Sequence, residues 1–339
     1  MRNIYILFFA FALAVGCMSC NDEWEDEQFV QNISFKAEPN ANGVTFAHLR
    51  YNLDGTVRYE LPIIVSGSTM NSQNRTVHIA LDPDTLKTLN REQYGGREPL
   101  YFKQLDPEYY SFPETVEIPA GQNMAILPID IKLGGENNTH PLDQSDKWVL
   151  PLTIVDDPLY DYQANPRKHY RKALLRINPF NEYSGEYAAT QYAIYLNDSE
   201  ESFKVSSQRS YVVDDKTIFI YAGLRDIDYL DRKDYKLFIK FTDDIIDIQR
   251  KKLEIWSDNK DQNKLAPIPG DQSYYTIDEE WDAKKPYLKH IYITLYLAYT
   301  FEDYSTVPNT RLRYKVQGTL SMQRDLNTLI PDEDQQIQW

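Results

Sequence analysis

Val57-Arg58-Tyr59-Glu60-Leu61-Pro62-Ile63-Ile64-Val65 places an apolar side chain at every odd position, and two charges, a proline and one isoleucine at the even ones. A period of two marks a strand with one buried face, and Pro62 suits a position whose nitrogen owes no bond to a neighbouring strand. The pattern recurs in residues 76–81, where Val77, Ile79 and Leu81 share a face, and segments 115–118, 124–133 and 148–155 also read as strands. Pro119-Ala120-Gly121-Gln122 is a turn between two of them. One stretch departs: Pro83 to Asn90 begins with proline and spaces its leucines three apart, which predicts a short helix. Residues 134–146 read as a polar, solvent-exposed loop, and Asn178-Pro179-Phe180-Asn181 as a break closing the unit near Ile177. Short strands at this spacing predict an antiparallel β-sandwich over residues 31–178.

The second half, residues 181–330, repeats the alternation in longer strands, at 187–196, 217–222, 235–242, 252–256, 289–301 and 312–320. Tyr235, Leu237, Ile239 and Phe241 point one way while Lys236 and Lys240 point the other; Leu312, Tyr314 and Val316 oppose Arg311, Arg313 and Lys315. This predicts a second antiparallel β domain, a meander or partly closed barrel, in an all-β chain.

The chain opens with a leader, residues 1–20. Arg2 is followed by an apolar run from Ile4 to Val15 and by Gly16-Cys17-Met18-Ser19-Cys20. That run is too short to span a bilayer and has the layout of a lipoprotein signal peptide, so a cysteine is expected to carry lipid. Cys17 has the better small residue before it; Cys20 is followed directly by the acidic tether, residues 21–30. The chain has 2 cysteines, both in this leader, so the mature protein holds no disulfide. A net charge of −15 argues against nucleic acid as a partner, and against an anionic polymer unless a local basic patch exists.

Several of these segments together resemble a known group of proteins: the acidic lipoprotein leader, Glu60-Leu61-Pro62, Leu105-Asp106-Pro107-Glu108-Tyr109-Tyr110, Ile118-Pro119-Ala120-Gly121 and Val149-Leu150-Pro151-Leu152. The resemblance is to a Bacteroidetes family of two-domain outer-membrane lipoproteins. These accompany the transporter pairs of polysaccharide-utilisation systems and are labelled adhesins or proteins of unknown function. It implies an immunoglobulin-like first domain and a distinct β-rich second one. It also implies lipidation at Cys20, with Cys17 as the alternative, because an acidic run after the acylated cysteine resembles the family's export signal to the cell surface. A surface glycan-binding or adhesive role follows from the resemblance, with a transporter complex as partner, but no binding residue.

Catalytic signatures are missing from the sequence: there is no phosphate loop, paired-histidine zinc helix or nucleophile elbow. The 5 histidines are dispersed, and no metal or other cofactor is expected. Asp226, Asp228 and Asp231 have a spacing that could serve calcium, against a solvated loop. Glycoside hydrolysis needs two convergent carboxylates, and Asp156-Asp157, Asp214-Asp215, Asp243-Asp244 and Asp278-Glu279-Glu280 are the acidic runs. Neighbours in a strand diverge, so no catalytic residue is assigned. Aromatic residues carry the better reading, since sugar C–H faces pack on rings while hydroxyls bond to polar side chains. In the segment 290–297 the odd positions form an aliphatic face, leaving Tyr292, Thr294 and Tyr296 on the other. Trp256, Trp281, Tyr274 and Tyr275 lie in or beside expected loops and complete the set of ligand-binding candidates. The expectation is a non-enzymatic surface lipoprotein that binds a neutral glycan; a protein-binding adhesin and a glycoside hydrolase remain open.

Overall fold

In a computed structural model of the protein, the stretch that opens the sequence reading is the strand Thr56–Val65, with Leu61, Ile63 and Val65 buried. The structure describes residues 27–52, 55–134, 142–197 and 199–330. Both cysteines, most of the acidic tether and the tail from Asp332 lie outside the described residues.

The chain is all-β, and the described residues form three sheets. Two belong to the N-terminal half. One orders Gln163–Ala164, Asn32–Phe35, Thr56–Val65, Met124–Lys132 and Tyr110–Ser111; the other orders Thr45–Arg50, Lys172–Phe180, Lys147–Ile154, Arg75–Leu81 and Thr115–Ile118, with Phe102–Gln104 pairing the 147–154 strand. Their facing side chains form one core that includes Ile33, Leu61, Ile129, Leu150 and Ile177. The sandwich is not wholly antiparallel, because 32–35 with 163–164, 45–50 with 172–180, and 102–104 with 147–154 pair in parallel. Parallel neighbours need long crossovers rather than tight turns, so local alternation does not reveal them.

The third sheet has eleven strands and its own core, with Tyr187, Ile220, Leu237, Leu295 and Val316 among its members. Its edges are the strands Ser202–Lys204 and Tyr211–Val212, which do not pair with each other. The alternation read for residues 235–242 is correct, since Tyr235, Leu237, Ile239 and Phe241 are all buried in this core. Gly318, at φ +143, lies beside the bulge between Glu186–Leu196 and Leu312–Asn327, where any Cβ would stand 2.0 Å from the Gln191 carbonyl oxygen.

The expected helix is present and longer, Pro83–Tyr94, with Asp82 accepting from the Thr85 backbone N–H at 3.2 Å. Its Leu86 packs with Phe102, Val149 and Leu174 on the outward side of the second sheet. That is why the 147–154 and 172–180 strands are apolar on both faces. Two expectations fail here. Lys172–Phe180 continues through Asn178 and Pro179 by pairing in register with residues 45–50, so there is no break at 178. The end of the supposed exposed loop, Leu142 to Asp146, has Leu142, Gln144, Ser145 and Asp146 buried: Leu142 enters the sandwich core, and the C-terminal half docks on Ser145 and Asp146.

Arg232, only 1% exposed, fastens that dock. Its guanidinium donates to the Ser145 carbonyl at 3.0 Å, the Pro99 carbonyl at 2.7 Å and the Tyr229 carbonyl at 3.1 Å. Lys236 with Asp143 (2.6 Å) and Lys233 with Asp146 (2.7 Å) add ion pairs across the same junction.

Candidate functional site

The sixteen-residue strand Leu288–Asp303 sends Ile293, Leu295 and Leu297 into the core and keeps Tyr292, Thr294 and Tyr296 half-exposed on the opposite face. Register fixes their neighbours: Tyr296 lies between Tyr274 and Thr319, Thr294 between Thr276 and Ser321, and Tyr292 between Asp278 and Gln323. One face of the sheet is therefore a field of tyrosines, hydroxyls, amides and carboxylates.

Its best-built part surrounds Tyr296. The Tyr274 and Tyr296 rings stack at 5.1 Å and 20°. Tyr296 Oη donates to Asp271 Oδ2 at 3.0 Å, and Gln317 Nε2 donates both to that oxygen (2.7 Å) and to Tyr296 Oη (2.8 Å). The Arg250 guanidinium covers Tyr274 at 5.0 Å. Burial pushes the Tyr296 hydroxyl upward, so it stays a protonated donor. Farther along, His290 Nδ1 meets Asp325 at 2.6 Å and Nε2 meets Asp282 at 3.3 Å. Donating hydrogen bonds to Asp325 and then to Asp282 raises the imidazole's pKa. Rings with fixed polar neighbours can receive the C–H face and hydroxyls of a sugar.

Not every candidate joins this surface. Tyr274, Tyr275 and Trp281 belong to a strand, Tyr274–Trp281, rather than to loops. The acidic residues 278–280 hide it from a reading by alternation, since this end of the strand extends beyond the core and is exposed on both faces. Tyr275 is a core residue, 3% exposed, whose hydroxyl donates to the Thr242 carbonyl at 2.9 Å. Trp281, 55% exposed, has the parity of Tyr275, and Lys289 lies 5.8 Å from its ring. It leaves the sheet on the side away from Tyr292 and Tyr296. Trp256 closes the strand Lys251–Trp256 at 38% exposure, and it does lie on the tyrosine-bearing face.

Trp256 also ends a row. It stacks on Phe238 at 5.4 Å, Phe238 meets Phe219 at 6.0 Å, and Phe219 stacks on Tyr211 at 5.1 Å, one residue per strand. Two of the acidic runs give carboxylates to cations: Asp243 pairs with Lys216 at 2.8 Å and Glu279 with Lys289 at 2.5 Å. Asp228 reaches Lys147 at 2.8 Å and Asp231 reaches Arg225 at 3.1 Å, so these two carboxylates face basic side chains instead of a common ion. Among the described residues, no three His, Cys, Asp or Glu side chains cluster as metal ligands.

Comparison with known proteins places the chain. Residues 24–158 match the domain of unknown function DUF4973, and residues 171–321 match a family of C-terminal domains. A solved Bacteroides ovatus protein of unknown function is 40% identical, with a TM-score of 0.79, over 93% of this chain and 98% of its own. The chain belongs to this family. Another relative is a Bacteroides thetaiotaomicron protein described as an auxiliary nutrient binding protein, 38% identical with a TM-score of 0.77 over 88% of this chain and 97% of that one. A Bacteroides ovatus multidomain protein including DUF1735 is 39% identical with a TM-score of 0.77, over 91% of this chain and 100% of its own. No curated protein matches it.

For this DUF4973 chain, reading the residues alone missed Asp271, Gln317 and Arg250 around the tyrosine pair. Gln317 carries a weak signal, as an outward position in a strand whose neighbours alternate. Asp271 and Arg250 carry none, because they lie outside regular strands and reach the rings only through the fold.

Proposed function

We propose that this protein is a non-enzymatic, lipid-anchored component of the bacterial outer surface that captures a neutral glycan on the Tyr274–Tyr296 face and passes it to a transporter complex. The stacked ring pair, with Asp271 and Gln317 held beside it, carries the reading. It offers an apolar platform and directional polar groups within one small area. The leader sequence supports the anchor, and the auxiliary nutrient binding protein among its relatives supports capture over catalysis. Affinity electrophoresis of the whole protein through gels cast with neutral polysaccharides tests it. Retardation that Tyr296→Ala weakens about tenfold is the expected result, and no retardation by any polysaccharide the host grows on would overturn it. Labelling with a palmitate analogue, lost in Cys20→Ala or in Cys17→Ala, tests the anchor and identifies its residue.

An adhesin reading draws on one feature, Phe203, which is 46% exposed on the edge strand Ser202–Lys204. An added strand from a protein partner would use that edge. Recovery of a stoichiometric protein partner that Phe203→Glu releases, with no glycan dependence, would favour it.

A further inference from the structure

A cavity of about 410 Å³ lies where three parts of the chain meet. The end of the helix Pro83–Tyr94 and the turn after it supply Gln93, Tyr94 and Arg97. The outward side of the second sheet supplies Phe46, Phe102, Lys147 and Arg176, and the C-terminal half closes the cavity with Arg209, Tyr211, Ile227 and Asp228. In a chain of net charge −15, this lining holds four cations against one carboxylate. It is the local basic patch whose presence would admit an anionic ligand.

Arg176 is the central group. It is 9% exposed, its Nε has no hydrogen-bond partner, and among the described residues no carboxylate pairs with it. Its guanidinium lies instead against two phenyl rings, Phe102 at 5.9 Å and Phe46 at 6.0 Å. Arg209 approaches Phe46 at 5.9 Å and Tyr211 at 6.0 Å. Burial pushes the Arg176 guanidinium down to about 10, with the Arg209 charge adding to the push, which still leaves it charged at neutral pH. Holding such a buried cation without a counter-ion is costly, and groups placed this way cluster at functional sites.

The cavity also shows where an anion fits. Lys147, whose side chain is 3% exposed, receives the Asp228 carboxylate at 2.8 Å, and its ammonium lies 4.9 Å from the Tyr94 ring centre. A guanidinium fork suits a carboxylate or a sulfate, and aromatic walls suit the faces of a sugar ring.

We propose that this junction cavity binds an anionic sugar, a uronate or a sulfated residue, with its oxyanion at Arg176 and Lys147 and its ring against Phe46, Phe102 and Tyr94. The sugar portion rests on the glycan-binding reading above; the demand for negative charge rests on Arg176 and its neighbours. Charge would thus be recognised here, separately from the neutral surface around Tyr296.

Calorimetric titration of the whole protein with oligogalacturonate, with a sulfated galacto-oligosaccharide and with a neutral galacto-oligosaccharide tests it, the first two distinguishing carboxylate from sulfate. One anionic ligand should bind more tightly than the neutral one, with affinity falling as salt rises. Arg176→Gln should weaken that binding about tenfold or more. Arg97→Glu, at the exposed rim, should weaken it at low salt without disturbing the fold, so the result stands even if Arg176→Gln fails to fold. Tyr296→Ala should leave it unchanged. Neither anionic ligand binding better than the neutral one, or binding that survives Arg97→Glu together with a folded Arg176→Gln, would overturn the proposal. Anion binding without any neutral-glycan binding would sink only the Tyr296 reading; the converse would sink only this one.

Discussion

The tyrosine surface around Tyr296 and the cavity at Arg176 border the same outward face of the eleven-stranded sheet, yet one is an exposed polar surface while the other is a recessed basic one. On the strands Thr217–Tyr221 and Lys236–Ile245, the outward residues Phe219, Tyr221 and Phe238 are buried in a cluster with Tyr211, against which Val213 and Ile227 pack. On Leu288–Asp303 and Leu312–Asn327, the outward residues other than the small Ala298 stay half-exposed or exposed. Strand parity is identical in both places; only the cover differs. The row Tyr211, Phe219, Phe238 and Trp256 crosses from one regime to the other.

Removing the cover should have the largest effect. Arg232→Ala deletes three hydrogen bonds from a buried guanidinium and leaves the Ser145 and Pro99 carbonyls unmatched. A loss on the order of 3 kcal/mol in urea unfolding is expected. Anion binding at the cavity should fall with it while neutral-glycan binding persists; an unchanged unfolding midpoint would break the comparison.

Protonation should separate the two regions next. Burial, then the Arg209 charge, lowers His48 to about 4, and its Nδ1 lies 3.0 Å from Asn178 Nδ2 beside the basic cavity. The folded state therefore favours neutral His48. Its contribution is complete above the unfolded value near 6.5 and declines as pH falls toward 4, by at most about 3 kcal/mol. His290 on the open face behaves oppositely, since Asp325 and Asp282 raise its folded pKa. Its contribution is present below the unfolded value and is lost as pH rises through the folded one. Thermal melts from pH 4 to 8 should show His48→Gln flattening the acid limb and His290→Gln flattening the neutral limb. The same limb flattened by both variants would contradict the contrast.

Smaller effects belong to the open surface. Tyr296→Ala should weaken neutral-glycan binding by about 1.4 kcal/mol, roughly tenfold, with little change in stability. Tyr275→Phe serves as the internal control. Its ring is core and its hydroxyl donates to the Thr242 carbonyl, so binding should be unaffected while stability drops by about 1 kcal/mol.

Much of the fold was legible residue by residue. The strand through Leu61 and the outward placement of Tyr292 and Tyr296 follow from alternation alone, and the start of the helix at Pro83 follows from the proline and the leucine spacing. Strand Lys172–Phe180 was misread at Pro179 because a proline tolerated by a parallel neighbour looks, in isolation, like a terminator. Tyr275 and Trp281 were misplaced because an acidic run at a sheet's solvated end masks the period of two. Arg176 was invisible for a related reason: inside Ala173-Leu174-Leu175-Arg176-Ile177 it marks the outward side of a strand buried on both faces.

The amino-acid order by itself determined which side chains share a strand face, because that depends only on neighbours two residues apart. It likewise determined the negative charge and the lipoprotein-like leader. Only the tertiary structure decided which outward faces are covered, which acids are spent on cations, and where basic side chains gather against the overall charge. Those outcomes depend on contacts such as Arg232 to Ser145 and to Pro99, 87 and 133 residues apart along the chain, and no local periodicity encodes which distant surfaces will pack together.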